Sequence, residues 1–334
     1  MRPRLRGMPP ATHGGAAAAR IDLSASLNPL GPSPAAVRAA RGASLDRYPD
    51  PGAAPLSAAA AARHGLPERI VVALPGASWG LWFCSVAMLQ PGDRCVALGP
   101  AFSEYARNAA ICRAEFEEVR SLDALEAALP GAAVCMLANP GNPDGVAIPA
   151  PRLTTLAEAH PQTAFIVDEA FAAFAPPGTS LTAHGPPPAN VVVVRSLTKE
   201  LGLPGLRIGY AVVGEDLAAL AQAVPAWPLA APDLAAAVAG LADGDHVARG
   251  AEVSRHHVRR LREALRTGGA CPSRTDANYV LARAPGLHRR LAARGLAVRD
   301  CASFGLPDHV RIAAPRPADL DEVVAALEQG HGDG

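Results

Sequence analysis

Short apolar runs punctuate the first two thirds of the chain at a spacing that predicts strands alternating with helices. Ile70–Leu74, Arg94–Leu98, Ala132–Ala138, Ala164–Val167 and Val191–Val194 are long enough for buried strands and too short for helices. The first is followed by Pro75-Gly76-Ala77-Ser78 and a helical stretch to Leu89, and Gly99-Pro100 leads into a second helix. Ala132–Ala138 ends at Asn139-Pro140-Gly141-Asn142-Pro143. Ala164–Val167 ends at Asp168, and Val191–Val194 ends just before Ser196-Leu197-Thr198-Lys199. Alternation of this kind predicts an α/β fold, a mainly parallel sheet with helices on both faces in three layers. Ligands of open α/β sheets bind in the crevice at the carboxyl ends of the strands. All five polar or glycine-bearing segments fall there, so they are expected to converge on one pocket.

Beyond about Pro225 the pattern changes to alanine- and arginine-rich helices, with strand candidates at Asn278–Ala282 and His309–Ala313. We therefore expect a large domain over residues 36–224 and a smaller α+β domain over 225–334. An N-terminal arm, 1–35, is expected to join the smaller domain. The His256-His257 pair among arginines reads as a solvated helix face. No internal repeat is present.

Composition narrows the function. Of 334 residues, 49% are hydrophobic and 19% charged, and the formal net charge is zero. A nucleic-acid binder would show a basic excess. The six cysteines are scattered, without Cys-x-x-Cys or Cys/His ligand spacing, so they read as reduced thiols, with no metal site expected. The arginines of the first nineteen residues precede no apolar run of signal-peptide length, and no segment approaches a membrane span. The expectation is a soluble, cytoplasmic protein with no membrane partner.

Lysine and arginine together number 31, and only Lys199 is a lysine. An arginine is always protonated, whereas a lysine amine can lose its proton and attack a carbonyl. Ser196-x-x-Lys199 alone has two readings. Serine acyl-transfer enzymes of the β-lactamase type use Ser-x-x-Lys with the serine as nucleophile, but they need a second Lys-Thr-Gly element that a one-lysine chain cannot supply. The other reading makes Lys199 the nucleophile and Ser196 a phosphate ligand. Arg207 lies eight residues beyond, in Pro204-Gly205-Leu206-Arg207-Ile208-Gly209-Tyr210.

With these residues in order, the chain resembles the fold-type I pyridoxal-phosphate enzymes, the aspartate-aminotransferase superfamily. The resemblance implies pyridoxal 5'-phosphate bound to Lys199 as a Schiff base, with Ser196 and Arg207 on its phosphate. Gly76, Ala77 and Ser78, opening a helix, would offer backbone N–H groups to the same phosphate. Asp168 would pair with the pyridine nitrogen, Asn142 would bond the ring 3-oxygen, and Phe102 would stack on the ring. The chain departs from the family pattern at Phe171, where many members carry a tyrosine. A scaffold protein without activity would be expected to lose Lys199 or Asp168, and both are present.

Leu27-Asn28-Pro29-Leu30-Gly31-Pro32 and Arg47-Tyr48-Pro49-Asp50-Pro51 resemble the histidinol-phosphate aminotransferase branch. That branch implies a homodimer in which Tyr48 reaches the cofactor phosphate of the neighbouring subunit. His13-Gly14-Gly15, ahead of Asp22–Pro29, looks like the L-threonine-O-3-phosphate decarboxylases of cobalamin biosynthesis. By resemblance Arg311 grips a substrate carboxylate and Arg299 a substrate phosphate, with His13 and Asn28 as further phosphate ligands. The function expected is therefore a lyase that decarboxylates L-threonine O-3-phosphate to (R)-1-amino-2-propanol O-2-phosphate. The alternative is a histidinol-phosphate-type aminotransferase. The two differ in which bond at Cα stands perpendicular to the ring.

Overall fold

A computed structural model describes residues 14, 15 and 18–329. Thirteen strands occur among them. They are β1 Ile21–Asp22, β2 Val71–Leu74, β3 Arg94–Leu98, β4 Glu115–Val119, β5 Val134–Ala138, β6 Ala164–Asp168 and β7 Val191–Ser196, then β8 Gly209–Val213, β9 Cys271–Pro272, β10 Tyr279–Arg283, β11 Leu296–Ala297, β12 Arg299–Asp300 and β13 His309–Ala313.

Seven strands form the main sheet in the order β2-β8-β7-β6-β5-β3-β4. The pairs β3–β4, β3–β5, β5–β6 and β6–β7 are parallel, while β8 runs antiparallel to both β2 and β7. The carboxyl ends of β2, β3, β5, β6 and β7 therefore share one edge, and the amino end of β8 lies at that same edge. This reversal is what brings Arg207, two residues before β8, beside the residues that follow the parallel strands.

The centre of the sheet is buried on both faces, as near-continuous apolar strands require. Val191, Val193, Phe165, Val167, Cys135 and Leu137 face one core, while Val192, Val194, Ile166, Val134 and Met136 face the other. Two strands of this sheet lie outside the sequence-based expectation. Edge strand β4 carries Glu115, Glu117 and Glu118 outward, so it lacks an apolar run, and those charges protect a sheet edge from pairing. Strand β8 opens on a glycine inside a motif that reads as a turn.

A second core gathers around the antiparallel sheet β12-β13-β10-β9. Ile21 and Leu23 belong to it, because β1 pairs in parallel with β11. Leu229, Leu234, Ala236, Ala237, Leu241 and Val247 instead pack into the first core, through helix Ala231–Ala242 against helices Pro34–Arg41 and Ala54–His64. Residues 229–247 thus pack with the large sheet, although the expected boundary at 225 assigned them to the smaller domain. The second core takes over only within the long helix Gly244–Thr267, from Val258 onward. His256 is exposed on that helix, but His257 is buried with its Nδ1 2.9 Å from the Pro315 carbonyl, contrary to a fully solvated pair.

Candidate active site

A cavity of about 300 Å³ opens at the shared edge, between the large sheet and the smaller one. Ala77, Ser78, Phe102, Asn142, Asp168, Ser196, Lys199 and Arg207 line it together with Arg299 and Arg311. Ten separated residues chosen from the sequence meet here. Gly76 sits immediately behind them as the N-cap of helix Ala77–Met88.

Lys199 lies in the short helix Leu197–Glu200 that continues β7. Its Nζ donates to the Ala25 carbonyl at 2.9 Å and stands 6.0 Å from the centre of the Phe171 ring. Burial, with Arg311 and Arg207 nearby, pushes the amine down to about 8. Asp168 ends β6 and is buried. Its Oδ1 accepts from the Ala170 N–H at 3.0 Å and its Oδ2 from the Tyr105 hydroxyl at 3.3 Å. Burial pushes the carboxyl up to about 6.

Helix Ala77–Met88 starts without a side-chain cap, so its first N–H groups are presented to the cavity with the positive end of the helix. Gly76 adopts φ +87°, and a Cβ there would stand 2.9 Å from Arg207 Nη2. The turn needs glycine both for its conformation and for the approach of that guanidinium. Ser196 Oγ is 3.3 Å from Thr198 Oγ1. Uncapped N–H groups, two hydroxyls and a guanidinium form a set of donors suited to a phosphate.

Arg311 is buried. It donates to the Asn142 side-chain oxygen and, at 2.8 Å, to the Ser24 carbonyl, and its guanidinium lies 4.9 Å from the centre of the Tyr279 ring. Its Nε has no hydrogen-bond partner among the described residues. Arg299 donates to Ser303 Oγ at 2.8 Å and lies 5.5 Å from the Phe304 ring centre. Burial lowers the pKa of both guanidinium groups.

Two expected residues are not part of this wall, and a third lies outside the described residues. Asn28 is buried elsewhere, its Nδ2 donating to the Glu200 carbonyl and its Oδ1 accepting from the Leu30 N–H, so both ends of the amide are used by backbone. Tyr48 is 82% exposed and packs on Trp227, ring centres 4.8 Å apart, along an apolar groove on the outer surface. His13 lies outside the described residues. Conversely, Gly14, Ser24 and Ala25 line the cavity, and Tyr105 and Tyr279 contact Asp168 and Arg311, without having been expected. Carbonyl groups carry no signature in sequence. Tyr105 follows Phe102 by one helical turn, which is the one signal that could have found it.

Residues 19–327 match the model of the aminotransferase class I and II family. The chain belongs to that family. A histidinol-phosphate aminotransferase from Halorubrum lacusprofundi is 34% identical over 326 residues, 92% of this chain and 88% of that protein. The crystal structure of a histidinol-phosphate aminotransferase from Sinorhizobium meliloti, in complex with pyridoxal 5'-phosphate, superposes with a TM-score of 0.87 at 25% identity, covering 98% of this chain and 96% of that one. An L-threonine-O-3-phosphate decarboxylase from Porphyromonas gingivalis superposes less closely, with a TM-score of 0.75 at 25% identity, covering 88% of this chain and 91% of that one.

The cofactor of the family is pyridoxal 5'-phosphate, and the residues present fit it. The donors at the helix start suit its phosphate, Lys199 its carbonyl and Asp168 its ring nitrogen. The fold is that of aspartate aminotransferase, as expected. The expectation of a lyase is overturned. Curated relatives at 32–34% identity are histidinol-phosphate aminotransferases, which are transferases, and the decarboxylase is the more distant structural neighbour. The cue for a decarboxylase was His13-Gly14-Gly15 and its surroundings, a few residues set against a likeness that runs through the whole chain. Among the described residues no helix is long and apolar enough to cross a membrane, and no group of His, Cys, Asp or Glu could hold a metal ion.

Proposed function

We propose that this chain is an aminotransferase of the histidinol-phosphate type, exchanging an amino group between a small phosphorylated amine and a 2-oxo acid. The observation that carries this reading is that Arg299 and Arg311 line the same cavity as Lys199. Two guanidinium groups there suit a substrate whose far end is anionic, a phosphate in one half-reaction and a carboxylate in the other. When bound, pyridoxal phosphate supplies the electron sink and the carbonyl that carries the amino group between the two halves.

The protein's part is binding, orientation and proton movement. Arg207, Ser196 and the N–H groups of Ala77 and Ser78 would hold the cofactor phosphate, and Phe102 would pack against the ring. Asp168 places a carboxylate at the ring nitrogen. Asn142 has its oxygen engaged by Arg311, which leaves its Nδ2 as a donor for the ring oxygen. The Lys199 amine, held near neutrality, takes and returns the proton at Cα. Phe171 cannot donate where a family tyrosine would, so Asn142 carries that contact alone.

A homodimer is part of this reading, with Tyr48 of each subunit closing the phosphate end of the other's site. Its support is an outward-facing apolar groove that includes Tyr48, Pro49, Leu234 and Val238, together with Trp227 half exposed beside it. A cytoplasmic location belongs to the same reading. The test is a stoichiometric half-reaction: purified holoenzyme mixed with histidinol phosphate loses its Schiff-base absorbance, and a 2-oxo acid restores it. Absorbance that stays unchanged with histidinol phosphate, yet responds to an amino acid lacking phosphate, rejects the substrate class.

A further inference from the structure

Asp168 is held at both carboxylate oxygens. The N–H of Ala170 takes Oδ1 at 3.0 Å, as a local turn of the chain does after a strand. The donor to Oδ2 comes from another element, the Tyr105 hydroxyl at 3.3 Å. Tyr105 lies in helix Ser103–Cys112 and is fully buried. Its ring also meets Phe102 edge to face, with centres 6.0 Å apart. One side chain thus touches both the carboxylate assigned to the ring nitrogen and the aromatic assigned to the ring face.

We propose that Tyr105 is a positioning residue for the cofactor, fixing the plane of the Asp168 carboxylate and stabilising its charged form. With an anchor on each oxygen, the carboxylate cannot rotate about its last torsion, and one lone pair stays aimed into the cavity. The hydroxyl also opposes burial, which otherwise favours the neutral acid, and a neutral acid could not keep the ring nitrogen protonated. A tyrosine whose hydroxyl were only filling hydrogen-bond capacity would not need to reach the one carboxylate at the strand end.

This rests on the cofactor lying in the cavity with its ring nitrogen at Asp168. The experiment compares three holoenzymes with wild type: Tyr105→Phe, Asp168→Asn and Tyr210→Phe. Tyr210 is another fully buried tyrosine, bonded to His64 at 2.6 Å and away from the cavity. For each, the dissociation constant of pyridoxal phosphate is measured by absorbance titration between pH 5.5 and 8.5, alongside the melting temperature of the apo-protein. Tyr105→Phe is expected to weaken cofactor binding about three- to tenfold near pH 8. The acid limb of its affinity profile should also start at a pH higher by about half a unit or more. Tyr210→Phe should lower the melting temperature and leave the profile in place. If Tyr105→Phe behaves like Tyr210→Phe while Asp168→Asn moves the profile, the positioning role is overturned and the site stands. If Asp168→Asn also leaves the profile unmoved, the assignment of Asp168 fails and this proposal with it.

Discussion

Lys199 Nζ donates to the carbonyl oxygen of Ala25 at 2.9 Å, so the one lysine of the chain is held by the N-terminal segment that lines the cavity. Arg311 grips the neighbouring carbonyl, that of Ser24. Two of the site's basic side chains are thus tied to adjacent carbonyls of one N-terminal segment. Neither bond is strong enough to compete with a Schiff base or a carboxylate, so each can be exchanged when cofactor and substrate bind.

The amine should be half neutral near pH 8, well below the 10.5 of an ordinary lysine, because burial and two guanidinium groups disfavour its charge. The rate at which apo-protein captures pyridoxal phosphate, followed by Schiff-base absorbance, is therefore expected to rise with pH to a midpoint near 8. A rate that keeps climbing toward pH 10.5 contradicts this. Lys199→Arg should capture none, since a guanidinium stays protonated.

Burial raises the pKa of Asp168 to about 6 from 3.8, so in the apo-protein the carboxyl stays neutral up to about pH 6 and is ionised above it. The cost of burying it is therefore absent below pH 4, grows between pH 4 and 6 and is constant above that. Relative to wild type, apo Asp168→Asn should gain stability between pH 4 and 8, by at most roughly 3 kcal/mol. Denaturant midpoints at the two pH values measure it. Turnover of the same variant should fall by at least about a hundredfold, because the ring loses its charged partner.

Gly76→Ala places a Cβ 2.9 Å from Arg207 Nη2 in a left-handed backbone. Cofactor affinity should fall roughly tenfold as the guanidinium is displaced, whereas the fold survives. An unchanged dissociation constant in an absorbance titration would remove Arg207 from the phosphate site.

Arg311→Met should raise KM for a carboxylate donor roughly a hundredfold and leave cofactor binding within a few-fold of wild type. Steady-state kinetics with the phosphorylated substrate and the carboxylate donor varied in turn separate this arginine from Arg299.

Behind the site, Arg195 binds Glu169 at 2.9 Å and lies 3.5 Å from Glu200, all three buried. Each is the chain neighbour of a site residue: Ser196, Asp168 and Lys199. Arg195→Met removes the cation bonded to Glu169 and leaves Glu200 only Arg63, 3.6 Å away, and should cost about 3 kcal/mol, read as a lower denaturant midpoint.

Much of this site was legible in the sequence because parallel strands end where their motifs begin. Lys199, Asp168, Asn142, Ser196 and Arg207 each sit within a few residues of a strand end, and the topology brings such ends together. What escaped was encoded otherwise. The carbonyls of Ser24 and Ala25 look the same whatever side chains flank them. Strand β4 hides behind its glutamates, and Asn28 resembles a ligand although its amide ties Leu30 to Glu200. The choice between lyase and transferase turns on which Cα bond stands perpendicular to the ring, and a few N-terminal residues pointed the wrong way.

The most direct test of the central claim pairs two single-turnover experiments with holoenzyme, one with L-histidinol phosphate followed by absorbance and one with L-threonine O-3-phosphate followed by trapping of CO2. The account predicts stoichiometric loss of the Schiff-base band, its recovery on adding 2-oxoglutarate, and no CO2. No loss of the band with any phosphorylated amine, or release of CO2 from an amino-acid substrate without a 2-oxo acid, would contradict it.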